Sequence, residues 1–247
     1  MARWAVFAGL TALVVFLLLA LARVSQVTSR ETVAETQTDA SERPEPARHP
    51  EGEPASLSTG LLLANVALSQ GLFLVVLLGS AWYARIPLSA LGATPANWLG
   101  ELAVGGALGI GLYLVNELGS RAAEAVGIEV PDGLRESLAP DSMVGWVVLL
   151  AVVLPTIAVF EEFLFRAALV GAFSTGFSLS PWLLALLSSV AFALGHGAQG
   201  ALGMVVTGGL GFVLASAFIV TGSLLVVVVA HYLINALEFA VNEGSLG

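Results

Sequence analysis

The sequence contains no cysteine and no lysine, and each absence narrows the possible functions. Without cysteine, the chain has no disulfide, no thiol nucleophile and no cysteine-ligated metal site. The nine basic residues are all arginines, and 18 acidic residues leave a formal net charge of −9. This charge does not favour nucleic acid, so we expect no nucleic-acid partner. An acidic chain without lysine or cysteine also favours an organism that lives at high salt.

Charged residues of either sign are scarce, and long apolar runs take their place. Only 11% of the residues are charged, 57% are hydrophobic, and the mean hydropathy is +0.91. Several runs approach or exceed the roughly 18 residues that a helical membrane span needs, and they do not alternate as barrel strands would. We therefore predict an all-α fold: a polytopic transmembrane helical bundle in the cell membrane, with the lipid bilayer as its partner. The predicted spans, about seven in number, are 4–22, 61–84, 98–118, 143–173, 182–197, 201–220 and 224–241.

Composition divides the chain into four predicted regions. They are an N-terminal transmembrane segment or signal anchor at 1–23, a disordered acidic linker at 24–59, accessory transmembrane helices and a loop at 60–142, and a region with polar clusters at 143–242. The first run ends on Ala20-Leu21-Ala22, which has the small-x-small pattern of a signal-peptide cleavage site. Its length suits a retained span, which we favour. The linker cannot bury enough apolar surface to offset the entropy of ordering.

Two stretches depart from a simple series of straight spans. The stretch 143–173 is too long for one straight crossing at about 1.5 Å rise per residue. Pro155 is expected to kink it, or one end runs past the bilayer surface. The mixed stretch 119–141 is predicted to form a loop with a short surface helix. Arginines near the span ends fall on both sides of the bundle, so their distribution does not define the orientation.

The first polar cluster is the sequence Glu161-Glu162-Phe-Leu-Phe-Arg166 inside the apolar stretch 143–173. On a helix, Glu162 and Arg166 are four residues apart and share a face, so they are expected to form an internal ion pair. Glu161 is rotated by about 100° from Glu162 and has no local partner, which leaves it free for chemistry. The alternative is that all three charges lie at the bilayer interface, in contact with water.

Two further clusters each contain a histidine within a predicted span. Phe192 and His196 are four residues apart, and Ser189 lies on the same helix face. In the last span, His231, Asn235 and Glu238 form a polar stripe after a purely apolar run. An ionisable residue inside a span is costly and is by default a candidate for function. The alternative is that these groups serve packing or interhelical hydrogen bonding.

Together the clusters supply the groups needed to hydrolyse an acyl bond. Glu161 can activate water as a general base, while the histidines His196 and His231 and Asn235 can stabilise the oxyanion of a tetrahedral intermediate. In the alternative route, Glu161, His196 and His231 hold a divalent metal such as zinc and leave one position open for water. The His-Glu-x-x-His motif of common metalloproteases is absent, as are the Gly-x-Gly-Asp and Gly-x-Ser-x-Gly patterns of other intramembrane proteases.

The order Glu-Glu-x-x-x-Arg, Phe-x-x-x-His and His-x-x-x-Asn, in three successive apolar regions, resembles the CPBP family. This family comprises the type II CAAX prenyl proteases and the bacteriocin-processing or immunity (Abi) proteins. The resemblance covers about 144–240 and implies that 143–242 is a catalytic domain. It implies catalytic roles for Glu161, His196, His231 and Asn235, with Glu162 and Arg166 in support. The family is described as one of metalloproteases, but the residues fit both a zinc site and a metal-free, glutamate-activated water.

These observations predict an intramembrane endopeptidase that acts on membrane-associated peptides or proteins, with prenylated CAAX proteins as one substrate class. Two other functions remain open: a catalytically silent immunity or scaffold protein of the same fold, and an ion-coupled transporter that uses Glu161 and the histidines as a relay. A transporter would be expected to show paired repeats, and the sequence has no convincing internal repeat. The small residues Thr207, Gly211 and Ala215, at a spacing of four, are interpreted as helix packing.

Overall fold

A computed structural model describes residues 1–42, 59–94, 97–127 and 133–244, and all regular elements within these ranges are helical. The helices are α1 (Trp4–Glu42), α2 (Thr59–Ala84), α3 (Trp98–Ala125), α4 (Gly133–Leu138), α5 (Met143–Phe177), α6 (Pro181–Gly195), α7 (Gly200–Thr221) and α8 (Leu224–Asn242), with 3₁₀ turns at Leu88–Leu91 and Gly197–Gln199. In the described part of the chain, six helices are long and apolar enough to cross a membrane, and α6 is a shorter apolar helix. The prediction of a polytopic helical bundle is confirmed, and the protein is a multi-pass membrane protein.

The N-terminal helix α1 is longer than the predicted first span. Its apolar part ends at Val24, but the helix continues to Glu42 and so enters the stretch predicted as a linker. The remainder of that stretch, 43–58, lies outside the described residues, and the predicted disorder there stays a prediction. Within the apolar part, Phe7 and Val14 are buried in the same cluster as aromatic side chains of α5 and α6. α1 therefore packs as a member of the bundle.

Helix α5 adopts π-helical hydrogen bonding at two places along its length. Two stretches, Leu149–Val153 and Phe163–Ala172, are π-helical, and the rest is α-helical. Pro155 lies two residues after the first π stretch, and the intervening Leu154 donates its N–H to the Leu149 carbonyl five residues earlier. At 35 residues, α5 is about 50 Å long, well beyond the thickness of the hydrocarbon core. The second π stretch begins immediately after Glu162, which places the polar cluster at a helical irregularity of a kind common at functional sites.

Glycines bring α3 and α8 into close contact, and this pair packs more extensively than any other two helices. A Cβ added at Gly105 would lie 2.6 Å from the Val226 carbonyl oxygen, and one at Gly109 would lie 2.7 Å from the Ala230 carbonyl oxygen. No side chain fits at either position, so the two backbones can touch. The contact sets the position of the α8 residue that follows Ala230, which is His231.

The start of α8 is fixed by a turn that precedes α3. Gly92 ends the 3₁₀ turn in the left-handed conformation, with φ of 65°, and its carbonyl accepts a 2.9 Å hydrogen bond from the Leu224 N–H. A Cβ on Gly92 would meet the Phe218 ring at 2.6 Å, so glycine is required for both its conformation and its space.

The stretch 119–141, predicted to form a loop with a short helix, contains α4, as expected. Its first residues belong to α3, which continues to Ala125. Arg135 of α4 pairs with Glu243 at the end of α8, with 3.0 Å between Nε and Oε1.

Candidate active site

The predicted ion pair is present in α5. Arg166 Nη1 lies 2.8 Å from Glu162 Oε1, and both side chains are almost fully buried. The pair survives the change to π-helix at Phe163. The interfacial alternative does not describe these two residues, because charges in contact with water would be exposed.

Glu162 has a second partner on a distant helix. His231 Nδ1 of α8 lies 2.7 Å from the same oxygen, Glu162 Oε1. Because an ionised carboxylate only accepts hydrogen bonds, Nδ1 carries the proton. Glu162 therefore links the guanidinium of α5 to the imidazole of α8. Sequence spacing predicted only Arg166 as a partner of Glu162, since no pattern in the sequence relates residues as far apart as Glu162 and His231.

Glu161 also faces His231, but at a longer distance. Its Oε2 lies 3.7 Å from His231 Nε2, which is beyond a hydrogen bond. Glu161 is buried, although less completely than Glu162. Helix geometry predicted no local partner for Glu161, and the structure adds a neighbour from α8. The two adjacent carboxylates thus lie beside the two nitrogens of one imidazole ring, Glu162 at Nδ1 and Glu161 at Nε2.

His196 ends α6 and is only partly buried. Its Nδ1 lies 2.8 Å from the Phe192 carbonyl oxygen, and because a carbonyl only accepts, Nδ1 carries the proton and Nε2 is left as an acceptor. The Phe192 ring lies 4.4 Å from the His196 ring and 6.2 Å from the His231 ring, centroid to centroid. Both histidines therefore border the same aromatic side chain.

The remaining predicted residues differ in whether their side chains form hydrogen bonds with other described residues. Asn235 is partly buried one turn after His231 and forms no side-chain hydrogen bond with any other described residue, so its amide is available. Glu238, on the same stripe, accepts a hydrogen bond from Asn116 of α3 at 2.5 Å. The Ser189 hydroxyl donates to the Ala185 carbonyl within α6.

Gly211 contributes a backbone carbonyl to the site, although its spacing in the sequence indicated only helix packing. Arg166 Nη2 donates a 3.0 Å hydrogen bond to the carbonyl oxygen of Gly211 in α7, and the guanidinium carbon lies 4.8 Å from the centre of the Phe192 ring. The spacing of small residues in α7 was the only sequence signal, and it pointed to helix contact alone. Two atoms of the cluster, Glu162 Oε2 and Arg166 Nε, are buried without a hydrogen-bond partner.

The side chains predicted as metal ligands are not arranged as a ligand set. Among the residues that the structure describes, no group of three or more histidine, aspartate or glutamate side chains is placed to hold a metal ion. Each imidazole does keep Nε2 free, which is the ligand chemistry of zinc-bound histidine. Without convergence of Glu161, His196 and His231, however, these residues do not fit a three-ligand metal site as placed.

The apolar helices enclose two carboxylates, an arginine and an imidazole. The chain is therefore a polytopic membrane protein with a buried ionisable centre. Residues 143–237 match the family model described as Rce1-like, type II CAAX prenyl endopeptidase. This match confirms the resemblance to the CAAX proteases that the motifs indicated. The match takes in α5, α6, α7 and most of α8, and leaves α1 to α4 outside it. Comparison with curated proteins found no match, and comparison with solved structures found none either.

Proposed function

We propose that the protein is an intramembrane endopeptidase that hydrolyses peptide bonds of membrane-associated substrates with a glutamate-activated water. The observation that carries the proposal is the pair of carboxylates on one imidazole. Glu162 fixes Nδ1 of His231 at 2.7 Å, while Glu161 faces Nε2 without bonding to it. The family name makes a prenylated peptide that ends in a CAAX sequence the first substrate class to test.

In this proposal Glu161 is the general base. It takes a proton from a water molecule as the water oxygen attacks the scissile carbonyl carbon. The protonated Glu161 then gives that proton to the departing amine nitrogen as the carbon–nitrogen bond breaks. The proton is returned within each turnover, so the residue needs no external acid. General acid–base catalysis of this kind contributes about 10²- to 10⁴-fold.

In this proposal His231 and Asn235 stabilise the negative charge that forms on the carbonyl oxygen. Because Nδ1–H of His231 is engaged by Glu162, Nε2 can donate to an oxyanion only when the imidazole is charged. The two flanking carboxylates favour that charged form electrostatically. Asn235, one helical turn away, supplies an amide donor with no other described partner. Buried donors aimed at a developing charge are a large source of rate enhancement.

His196 orients the water in this scheme. Its Nδ1–H donates to the Phe192 carbonyl, so Nε2 accepts a hydrogen bond from the water that Glu161 deprotonates. The metal-free route is proposed because the three candidate ligands are not assembled as a set. Metal analysis of the wild type and of His196→Ala, together with assays in chelator, tests that choice.

The test is cleavage of a fluorescent prenylated CAAX peptide by the purified protein in lipid nanodiscs. Glu161→Gln is expected to lower kcat by about 10²-fold or more, because the amide cannot take the proton. Glu117→Gln is the matched control, since Glu117 pairs with exposed Arg121 on α3. A wild-type rate in Glu161→Gln would contradict the mechanism. Folded wild-type protein that cleaves no membrane-anchored peptide would favour the silent scaffold instead.

A further inference from the structure

Among the residues that the structure describes, Arg166 is the only arginine inside the apolar bundle, and groups on two helices contact its charge. Glu162 of α5 supplies a carboxylate at 2.8 Å, and Gly211 of α7 supplies a backbone carbonyl at 3.0 Å. A carbonyl in the middle of a helix already accepts one intrahelical bond but has a second lone pair. Arg166 uses it, and this contact ties α7 to the catalytic helix.

Glycine is what allows this contact to coexist with the aromatic ring beside it. A Cβ at position 211 would lie 3.0 Å from Phe192 Cδ1 and 3.4 Å from Arg166 Nη2. Either the ring or the guanidinium would have to move. Phe192 also contacts both histidine rings, so a shift of the ring displaces more than the arginine.

We propose that Gly211 is a positioning residue for His231, acting through Arg166 and Glu162. The chain of contacts is continuous. The Gly211 carbonyl orients the guanidinium, the guanidinium holds Glu162 Oε1, and the same oxygen receives Nδ1–H of His231. The inference rests on the proposed function for its kinetic consequence, but the geometry of His231 can be measured without it.

Neighbouring glycines in α7 provide matched controls. A Cβ at Gly208 would lie 3.1 Å from the Ala193 Cβ on the same α6 surface, so it is crowded to a similar degree but has no contact with the ionic chain. A Cβ at Gly209 would meet nothing within 4 Å. A role in helix packing alone predicts that Gly208→Ala and Gly211→Ala behave alike. The positioning role predicts that they differ.

The first measurement is steady-state kinetics of the three alanine variants. Gly211→Ala is expected to lower kcat by about tenfold to a hundredfold with little change in KM, because small misplacements of catalytic groups have effects of that size. Gly208→Ala and Gly209→Ala are expected to stay within about twofold of wild type. Equal losses in Gly208→Ala and Gly211→Ala would overturn the proposal.

The second measurement does not depend on activity. The chain has three histidines, His49, His196 and His231, so ¹⁵N imidazole spectra can be assigned with single His→Gln variants. Gly211→Ala is expected to shift the Nδ1 resonance of His231 and leave that of His49 unchanged, whereas Gly208→Ala shifts neither. If the wild type is inactive, the proposed function fails, yet this result still decides the inference.

Arg166→Lys provides a second variant should Gly211→Ala fold poorly. Lysine keeps the charge but lacks the fork that reaches both Glu162 and the Gly211 carbonyl. It is expected to cause the same shift at His231. A His231 spectrum unchanged in Arg166→Lys would refute the proposed chain of contacts from Gly211 to His231.

Discussion

At the residue scale, the two adjacent glutamates differ in what surrounds them. Glu162 is fully buried and shared between Arg166 and His231, whereas Glu161 remains slightly exposed and without a hydrogen bond of its own in the described structure. A carboxylate held by two partners is poorly suited to accept a proton from water. In the proposed mechanism the neighbouring, less constrained carboxylate of Glu161 is therefore the base. The proposal thus gives two adjacent glutamates different roles, a structural one for Glu162 and a chemical one for Glu161.

The shared role of Glu162 leads to a prediction about stability. Glu162→Gln leaves Arg166 as a buried charge without a counter-ion, and breaking one side of a buried pair costs about 3–5 kcal/mol. We expect a clearly lower melting temperature in nanodiscs and a loss of activity. The measurement is thermal unfolding followed by circular dichroism.

The double variant Glu162→Gln/Arg166→Met separates the two effects. Removing both charges is often neutral for stability, because no uncompensated ion is left. Stability is expected to recover while activity does not, since His231 has lost its carboxylate partner. If activity recovered together with stability, Glu162 would have no part in orienting His231.

The sequence predicted those contacts of the site that are local in the chain. Glu162 and Arg166 are one helical turn apart, so helix geometry alone was sufficient. The bond from His231 to Glu162 spans 69 residues, and that from Arg166 to Gly211 spans 45. Such contacts depend on which helices become neighbours, and helix periodicity carries no information about that choice. The motif order predicted which residues take part in the site, and it carried no information about the bonds between them.

At the element scale, the predicted spans agree with the helices, because apolar runs mark what lies within lipid. The helix ends agree less well. α1 and α3 extend beyond their apolar parts to Glu42 and Ala125, and hydropathy does not detect a helix that continues into water. The π stretches of α5 were not predicted either, since the apolar pattern of a π-helix is nearly the same as that of an α-helix over one or two turns.

The glycine contact between α3 and α8 can be tested directly. A side chain at Gly109 would press on the Ala230 backbone at 2.7 Å, so Gly109→Ala is expected to separate the helices, lower the melting temperature and reduce kcat by displacing His231. Gly111→Ala is the control on the same helix, because nothing lies within 4 Å of its added Cβ. Alanine favours a helix over glycine by up to about 1 kcal/mol, so the control is expected to be unchanged or slightly stabilised. Equal behaviour of the two variants would argue against the close contact.

At the scale of the whole molecule, α1 lies outside the matched family segment but is packed into the same core. Phe7 is 1% exposed, and its cluster includes Phe163 of α5 and Phe192 of α6. This packing is relevant to the two interpretations of the first apolar run. A cleaved signal peptide would contribute nothing to the stability of the mature protein, whereas a retained helix would.

A pair of phenylalanines on α1 distinguishes these interpretations. Phe7→Ala empties a core position, and such substitutions cost about 3–5 kcal/mol. Phe16 is 66% exposed on the same helix, so Phe16→Ala is expected to leave the melting temperature unchanged. Unfolding curves of the two purified variants provide the comparison. Equal melting temperatures would favour a first helix that is absent from the mature fold.

The ionic centre described above also has an electrical consequence. In the proposed mechanism, with His231 charged, two carboxylates, one guanidinium and one imidazolium sum to zero, and the proton taken from water is returned to the product amine. Turnover then moves no net charge through the membrane field, whereas moving one elementary charge would change the energy by about 2.3 kcal/mol per 100 mV. In proteoliposomes with an imposed potassium diffusion potential, the cleavage rate is therefore expected to be independent of voltage. A voltage-dependent cleavage rate would instead show that turnover moves charge through the membrane field, whereas electroneutral turnover would let the proposed peptidase work equally in energised and de-energised membranes.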